Sequence, residues 1–358
     1  MGIADRLVER FNSEDVIKFS DKDNFKDVES WAFTGSPELE HNLGILGLPT
    51  GMIEIAGPSR SGKTTLGLIG MKHFLDDNEN GVAVILSSEN RDNKEYALKL
   101  GINPAQVIII KIRFVEEMFM KVKKLIADTK EIFIEEEWGE PAFYFLWDSI
   151  GATLAKAELD TMEENTKAME KAEEKGGRAE VKHAQMGAFA KQAKMFAKFI
   201  TAEMYESVVH FVMLNHVYDK MSGYGGQQSG GGKWVEFFPC LRLQMSVIGH
   251  EKIDDVEVAQ KSRVKVIKND FGSRKQTDIL ILLGRGIILS DSDIDFGVEQ
   301  GIIEKKSKTV FSFKGKMEWR SKRTFFELYE EEHKLLPIMA KKIMKARHDQ
   351  IKEERYGE

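Results

Sequence analysis

The stretch GMIEIAGPSRSGKTTL, residues 51–66, decides the fold of this chain. It begins with a mostly apolar run that predicts a buried strand, and the residues after it predict a helix. In between, the segment from Gly57 to Thr64 matches G-x-x-x-x-G-K-[ST], in which Gly57 and Gly62 let the backbone curl around phosphate oxygens. Strand, loop and helix follow in the order that this motif requires, and the helix N-terminus adds a positive dipole. The stretch therefore predicts a phosphate-binding loop and disfavours the alternative, a glycine-rich turn without a ligand.

Two side chains of this loop carry the predicted chemistry. Lys63 can reach the β- and γ-oxygens of a nucleoside triphosphate, and the Thr64 hydroxyl can ligate the Mg²⁺ that bridges them. The loop residues predicted to bind the nucleotide are Gly57, Pro58, Ser59, Arg60, Ser61, Gly62, Lys63, Thr64 and Thr65.

The composition indicates an acidic globular protein. With 358 residues, the chain can hold one large α/β domain and smaller lobes. Its single cysteine, the lack of a signal-peptide-like start and the lack of an apolar run near 20 residues predict a cytoplasmic protein without a membrane partner. The net charge of −6 argues against a simple polyanion binder, although a local basic groove is compatible with it.

Further apolar runs alternate with helical patterns and predict a doubly wound, mostly parallel sheet flanked by helices. These runs are 81–86, 107–110, 143–147 and 208–214. Two alternating segments, 241–248 and 263–268, predict an antiparallel pair at the edge of the sheet. A short amphipathic helix is predicted at 4–11, which would pack on its own core or on a neighbouring subunit.

A carboxylate follows the third of these runs. Asp148 would lie at the carboxyl edge of the sheet, beside the metal ion held by Thr64. Many strands end in Asp as a turn or a helix cap, so the prediction of a metal ligand rests on its pairing with the phosphate-binding loop.

Polar residues also follow two other runs at the same predicted edge. Glu89 can polarise an attacking water molecule, but spacing alone leaves open whether it is instead a helix N-terminal charge. Asn215 and His216 end the fifth predicted strand and can sense a γ-phosphate.

A glycine-rich loop at 218–232 follows these two residues and suits contact with a single strand of nucleic acid. Lys220, Lys233, Gln227 and Gln228 would supply the contacts; a disordered linker is the alternative. Upstream, the charged stretch 161–185 predicts a solvated or mobile insertion. It is followed by a helix that carries Lys191, Lys194 and Lys198 on one face, which is either a solvated face or a ridge that contacts phosphates.

With these motifs in order, the chain resembles the RecA family of homologous-recombination ATPases, and within it the phage UvsX-like branch. The resemblance extends from about residue 30 to about residue 320. It rests on "AGPSRSGKTTL", "SSENRDNKEYALKLGI", "FYFLWDSIGATLAKAE", "MLNHVYDKM", "SGGGKWVEFFPCLRL", "RVKVIKNDFGS" and "DFGVEQGIIEKKSKTVFSFKGK".

The resemblance implies a RecA-type P-loop ATPase core at 35–275, a short N-terminal helical oligomerisation segment at 1–34 and a small α+β C-terminal lobe at 276–358. It also implies ATP and Mg²⁺ as cofactors and DNA-stimulated hydrolysis of ATP. The expected partners are single-stranded DNA, double-stranded DNA for homologous pairing and strand exchange, further copies of the chain in a helical filament, and ssDNA-binding and mediator proteins.

Residue by residue, the resemblance gives a catalytic set of Glu89, Lys63, His216, Asn215 and Lys268. It places Tyr96 and Asn93 at the adenine, and its DNA-binding set comprises Lys191, Lys198, Lys220, Gln227, Gln228, Gly230, Gly231, Gly232 and Lys233. In the family, two lysines reach the ATP of a neighbouring subunit; Lys268 matches one, whereas Asp270 replaces the other. Glu236 replaces a basic residue before the interface position Phe237.

Two other functions remain open at this stage. One is a hexameric motor of the helicase type, which uses the same fold. The other is a filament protein that coats ssDNA without hydrolysing ATP, and the intact set of Lys63, Thr64, Glu89 and Asp148 argues against it.

Overall fold

The computed structural model describes residues 30–89, 94–174, 187–219, 227–331 and 333–356. The predicted N-terminal helix at 4–11, and with it most of the predicted oligomerisation segment, lies outside the described residues. Within the described ranges, no helix combines the length and the apolar character that a membrane crossing needs.

Two short strands, β1 (Trp31–Ala32) and β2 (Leu48–Pro49), pair in a small sheet. Among the described residues, one large sheet of nine strands organises the molecule. Its strands are β3 (Gly51–Ala56), β4 (Val82–Ser87), β5 (Val107–Lys111), β6 (Ala142–Asp148), β7 (Val208–Asn215), β10 (Leu241–Ile253), β11 (Val256–Asn269), β12 (Thr277–Leu282) and β13 (Gly286–Ile288). Their order in the sheet is β13-β12-β11-β10-β3-β7-β6-β4-β5. The pairs from β10 through β3, β7, β6 and β4 to β5 are parallel, and the pairs from β10 to β13 are antiparallel. The predicted mostly parallel sheet is therefore confirmed.

Helices cover both faces of this sheet. The described helices of the chain are α1 (Pro37–Leu43), α2 (Lys63–Asp77), α3 (Lys94–Lys99), α4 (Val115–Glu135), α5 (Lys156–Glu174), α6 (Ala188–Glu203), α7 (Trp234–Phe237), α8 (Asp291–Glu299), α9 (Lys322–Glu330) and α10 (Leu336–Tyr356). Because strand side chains alternate between faces, Tyr144 and Leu146 pack in the cluster that contains α2, whereas Phe143, Phe145 and Trp147 pack in the cluster that contains α4 and α6. Burial on both faces is why the central strands are continuous apolar runs.

The predicted antiparallel edge pair is half right. Strands β10 and β11 do pair antiparallel, but neither lies at the edge of the sheet. Leu241–Gln244 pairs in parallel with Ile53–Ala56, and β11 pairs with β12 on its other side. Alternation of apolar and polar residues reports which face of a strand is buried, and it carries no information about the neighbours of that strand.

The C-terminal part forms a lobe with its own hydrophobic cluster. It combines helices α8 to α10 with a small sheet of β14 (Glu304–Lys305), β15 (Phe311–Phe313) and β16 (Met317–Trp319). The boundary predicted between 275 and 276 falls between two hydrogen-bonded strands of the large sheet, β11 and β12. The lobe's cluster also includes Leu282 and Ile288 from that sheet. The division into domains stays a prediction.

Candidate nucleotide-binding site

The phosphate-binding loop joins β3 to α2 and forms a cradle without bulky side chains. A Cβ atom at Gly57 would collide with the Met245 carbonyl oxygen and lie 2.7 Å from Ser61 Oγ. Gly62 has φ 96°, in the left-handed region that disfavours side chains. Ser61 Oγ is buried and has no hydrogen-bond partner among the described residues. A buried hydroxyl without a partner beside a closely curled backbone fits a loop whose remaining partners belong to a bound anion.

Lys63 is the loop's cation, and its partners in the structure are backbone carbonyls. Its Nζ donates to Gly57 O at 2.9 Å and to Pro58 O at 2.7 Å. Burial lowers the pKa of the Lys63 ammonium, while the carboxylates of Asp148 and Glu89 oppose that effect. Within the described part of the chain this ammonium is hydrogen-bonded to carbonyls and to no carboxylate, so it can exchange the carbonyls for phosphate oxygens.

Thr64 and Asp148 meet at the start of α2. Thr64 Oγ1 donates to Asp148 Oδ2 at 3.3 Å, as the predicted pairing of loop and strand requires. Burial raises the pKa of the Asp148 carboxyl, and the negative charge of Glu89 acts in the same direction. A divalent cation would reverse this effect, and hydroxyl and carboxylate oxygens are ligands that Mg²⁺ prefers. Among the described residues, no group of three or more His, Cys, Asp or Glu is arranged to hold a metal ion. With Thr64 and Asp148 as protein ligands, phosphate oxygens and water would complete the coordination of Mg²⁺.

Glu89 lies at the same edge of the sheet and is held there by a neighbour of Asp148. Ser149 Oγ donates to Glu89 Oε1 at 2.8 Å, and His216 Nε2 lies 3.5 Å from the same oxygen. The side chains of Glu89 and His216 are 36% and 33% exposed, so both remain open to a ligand or to water. Three strand ends therefore bring Glu89, Asp148 and His216 together, as the sequence predicted.

A cavity of about 390 Å³ lies in front of these groups. Lys63, Thr64, Glu89, Asp148 and His216 all line it, and a mostly apolar wall behind them contains Leu68, Met71, Ile85, Ala97, Ile102 and Leu146. Its volume is within the range of small-molecule sites.

A second cavity of about 270 Å³ lies on the other side of the loop, which contributes Arg60 to Thr65 to its wall. Tyr96 also lines it and shares a 2.7 Å hydrogen bond with Thr65 Oγ1. Burial raises the pKa of the Tyr96 phenol, and the bond with Thr65 opposes this. Gln260, Ile281, Leu283 and Gly284 complete the wall, and sequence reasoning missed all four because they lie on or beside the antiparallel strands. Asn93, the other predicted contact of the base, lies outside the described residues.

Asn215 does not line either cavity. Its side chain is buried and its hydrogen bonds point elsewhere: Nδ2 donates to Glu54 Oε1 at 2.8 Å and to Gly230 O at 2.9 Å. Its Oδ1 accepts from His216 N at 2.9 Å. The role predicted for Asn215 as a direct γ-phosphate sensor stays a prediction, and in the structure His216 is the member of the pair that faces the cavity.

The candidate DNA-binding loop begins and ends in a short hairpin of β8 (Val217–Asp219) and β9 (Gln227–Ser229). The backbones of Gln227 and Gln228 pair in this hairpin, while Lys220 lies outside the described residues. Past the hairpin, Gly231 and Gly232 have φ near 93° and 92°, so both need the freedom of glycine. Gly230 N donates to His216 O at 3.2 Å, which closes the hairpin onto the nucleotide-facing strand end.

The predicted DNA-contacting lysines Lys191, Lys198 and Lys233 are exposed. The first two lie on α6, whose opposite face packs Ala193, Phe196 and Ile200 into the core. The first part of the predicted charged insertion belongs to α5. This helix has no buried residue, which agrees with a solvated segment.

Lys268 lines neither of the two cavities that border the chain's own phosphate-binding loop. Its Nζ donates to Phe237 O at 3.3 Å and to Pro239 O at 2.8 Å, and it lies 3.2 Å from Asp270 Oδ2. Phe237 is 70% exposed. A role of Lys268 at the ATP of this same chain is therefore not supported, and its catalytic role remains a prediction about the site of a neighbouring copy.

Sequence reasoning missed two serines that fix the strand ends. Ser88 Oγ donates to the carbonyl oxygens of Asp148 and Ser149, and accepts from Ser149 N at 2.9 Å. Ser149 in turn holds Glu89. Their positions next to Glu89 and Asp148 in the sequence were the available signal.

Fold and site together define a P-loop nucleotide-binding protein of the α/β class. The chain matches the model of the RecA N-terminal domain over residues 3–288. It therefore belongs to the RecA family.

Individual relatives have low sequence identity to this chain, but their alignments cover most of it. A protein named RecA from Chlorobium limicola is 27% identical over 338 residues, which cover 93% of this chain and 87% of that protein. The RecA of Chlorobium chlorochromatii is 27% identical over 356 residues, with coverages of 98% and 89%. That of Mycobacterium ulcerans is 30% identical over 288 residues, with coverages of 79% and 73%. These relatives are bacterial, and placement in the phage UvsX-like branch stays a prediction.

Proposed function

We propose that this protein is an ATP-dependent recombinase that assembles as a helical filament on single-stranded DNA, pairs it with homologous duplex and exchanges strands. The proposal rests on family membership together with one observation. Glu89 and His216, which face the candidate phosphate site, lie just past strand ends, and His216 is the single residue between β7 and the candidate DNA-binding hairpin.

The roles we propose at the site follow from its geometry. Lys63 and the loop amides would hold the phosphates of ATP, and Thr64 and Asp148 would hold Mg²⁺, which neutralises charge on the phosphates. Glu89 would accept a proton from the attacking water molecule, since Ser149 and His216 fix one of its oxygens. Tyr96 would lie against the base, at the second cavity.

Coupling to DNA would pass through His216. Its side chain faces the cavity, and its carbonyl oxygen is bonded to Gly230 N at the end of the hairpin. A hydrogen bond from His216 to the γ-phosphate would favour one arrangement of the hairpin, and loss of the phosphate on hydrolysis would release it. DNA affinity should then depend on the bound nucleotide and fall steeply with salt, because exposed lysines such as Lys191, Lys198 and Lys233 would contact phosphates.

The decisive experiment is ATP hydrolysis measured with and without single-stranded DNA, combined with negative-stain imaging. We expect DNA to stimulate hydrolysis and ATP to produce helical filaments on the DNA. Lys63→Ala should abolish hydrolysis and strand exchange, whereas the control Lys72→Ala, at a half-buried lysine of the same helix that lines neither cavity, should retain both. Unstimulated ATPase and unimpaired strand exchange by Lys63→Ala would refute the proposal. Closed rings would instead identify a helicase-type motor, and ATP-dependent filaments without turnover would identify a DNA-coating protein.

A further inference from the structure

A buried ion pair beneath the phosphate-binding loop is connected to the candidate DNA-binding hairpin. Glu54 lies in β3, three residues before the loop begins, and is 1% exposed. Arg242, its cross-strand neighbour in β10, donates from Nε to Glu54 Oε2 at 2.7 Å. A buried carboxylate that is paired this closely is fixed in position, because leaving either charge without its partner is costly.

The two remaining arms of this pair reach adjacent residues of the hairpin. Arg242 Nη2 donates to Ser229 Oγ at 3.0 Å. The other oxygen of Glu54 accepts from Asn215 Nδ2, which also donates to Gly230 O. The bonds therefore form a closed ring through Glu54, Arg242, Ser229, Gly230 and Asn215.

The same ring is joined to the nucleotide site at two points. Gly57 N, at the first position of the phosphate-binding loop, donates to Asn215 O at 3.2 Å. Asn215 Oδ1 accepts from the backbone of His216, whose ring lines the cavity in front of Glu89. A shift of either element would therefore change hydrogen bonds that hold the end of the hairpin.

We propose that Glu54 and Arg242 are positioning residues that make the DNA affinity of the hairpin depend on the bound nucleotide. This inference rests on the proposed function. A purely structural ion pair would stabilise the sheet equally whichever nucleotide is bound. A coupling pair would instead contribute to DNA binding in the ATP state and little in the ADP state, because only the ATP state requires the hairpin to be held in register with the loop.

The test measures the affinity of the protein for a labelled oligothymidylate twice, once with a slowly hydrolysed ATP analogue bound and once with ADP bound. The readout is the ratio of the first affinity to the second. Ser229→Ala removes the outer arm at a partly exposed position, so folding is not at risk. We expect it to lower the affinity in the ATP state about tenfold, the usual effect of one hydrogen bond to a charged group, and to leave that in ADP unchanged. Ser229→Thr keeps the hydroxyl and should restore the ratio.

Arg242→Gln should lower the ratio further, because it releases Ser229 and leaves the Glu54 charge without its partner. Its control is Arg263→Gln, which breaks a more exposed ion pair of the same sheet. Arg263 Nε donates to Asp278 Oδ1 at 2.8 Å across the neighbouring strands β11 and β12, and among the described residues the hydrogen bonds of its side chain go to Asp278 and not to the hairpin. An unchanged ratio in Ser229→Ala would overturn the coupling role and leave a structural ion pair. If the wild-type ratio is already one, the proposed function fails in the same assay, and this inference fails with it.

Discussion

Two groups of polar side chains in this molecule are built differently. In the first, which we call the open group (Ser61, Lys63, Glu89, Asp148 and His216), Ser61 Oγ has no hydrogen-bond partner among the described residues, and Lys63 Nζ donates to two backbone carbonyls that a ligand can displace. In the second group, which we call the joint cluster (Thr34, Glu40 and His348), both carboxylate oxygens of Glu40 are bonded. Oε1 accepts from Thr34 N at 2.6 Å and Thr34 Oγ1 at 2.9 Å, and Oε2 lies 2.6 Å from His348 Nε2.

This difference indicates that the open group serves ligand binding and the joint cluster serves stability. A site for a ligand must keep some hydrogen-bonding capacity free, which lowers the stability of the empty protein. In the joint cluster both oxygens of the Glu40 carboxylate already have partners, and the cluster connects α1 to the last helix of the C-terminal lobe. Substitutions should therefore affect turnover in the first group and folding in the second.

The largest expected effect is at the open group. Glu89→Gln keeps the size of the side chain but removes the base, and should lower kcat for ATP hydrolysis by roughly 10²- to 10⁴-fold with little change in ATP affinity. The measurement is steady-state hydrolysis together with an ATP binding titration. The exposed carboxylate Glu95 offers a control, since Glu95→Gln should hydrolyse ATP normally. Wild-type kcat in Glu89→Gln would remove Glu89 from the catalytic set.

In the joint cluster, a substitution should lower stability and leave the rate of ATP hydrolysis unchanged. Glu40→Ala leaves Thr34 N and the His348 ring without their acceptor, and should lower the free energy of unfolding by about 3 kcal/mol. Urea denaturation measures this loss, and Glu40→Gln, which retains one acceptor, should lose less. At temperatures where the variant stays folded, its kcat should match that of the wild type. Slower hydrolysis at unchanged stability would contradict the comparison.

Acid should lower the stability that the protein gains from a third set of buried polar contacts, those of His210. The ring is fully buried, with Nδ1 3.0 Å from Pro49 O and Nε2 3.1 Å from Ser30 Oγ, and burial lowers its pKa from 6.5 to about 4. Because the unfolded chain binds a proton more readily, stability should be complete above pH 6.5 and fall towards pH 4, by roughly 3 kcal/mol. Unfolding measured across this range should show a smaller slope in His210→Phe. An identical slope in the variant would assign the effect to other groups.

The smallest effect on stability is expected for the exposed pair Lys268–Asp270, which belongs to neither group. Asp270→Asn should change the free energy of unfolding by less than about 1 kcal/mol, as for other surface pairs. If Lys268 acts on the ATP of a neighbouring copy, removing the competing carboxylate should raise DNA-stimulated hydrolysis several-fold. Hydrolysis rates and urea denaturation of the same variant measure both effects. Unchanged hydrolysis would argue against a role of Lys268 across the interface.

Much of the open group could be predicted from the sequence, because its members follow apolar runs directly. Parallel strands bring their carboxyl ends to one edge, so Glu89, Asp148 and His216 were expected near the phosphate-binding loop before their distances were known. The hydrogen bond from Asn215 to Glu54 could not be predicted, because a linear sequence does not reveal the orientation of a buried amide side chain. The joint cluster could not be predicted from the sequence either, since Glu40 and His348 are 308 positions apart.

That separation has a consequence for how the chain is made. At about 5–20 residues per second, Glu40 is added to the growing chain roughly 15 to 60 seconds before His348. Until then, burying its carboxylate would leave one oxygen without its partner, which is costly. We therefore expect α1 of a growing chain to stay open to chaperones and proteases until the final helix is complete. Proteolysis of ribosome-bound chains arrested before and after α10 would detect this order, and equal protection of the two would contradict it.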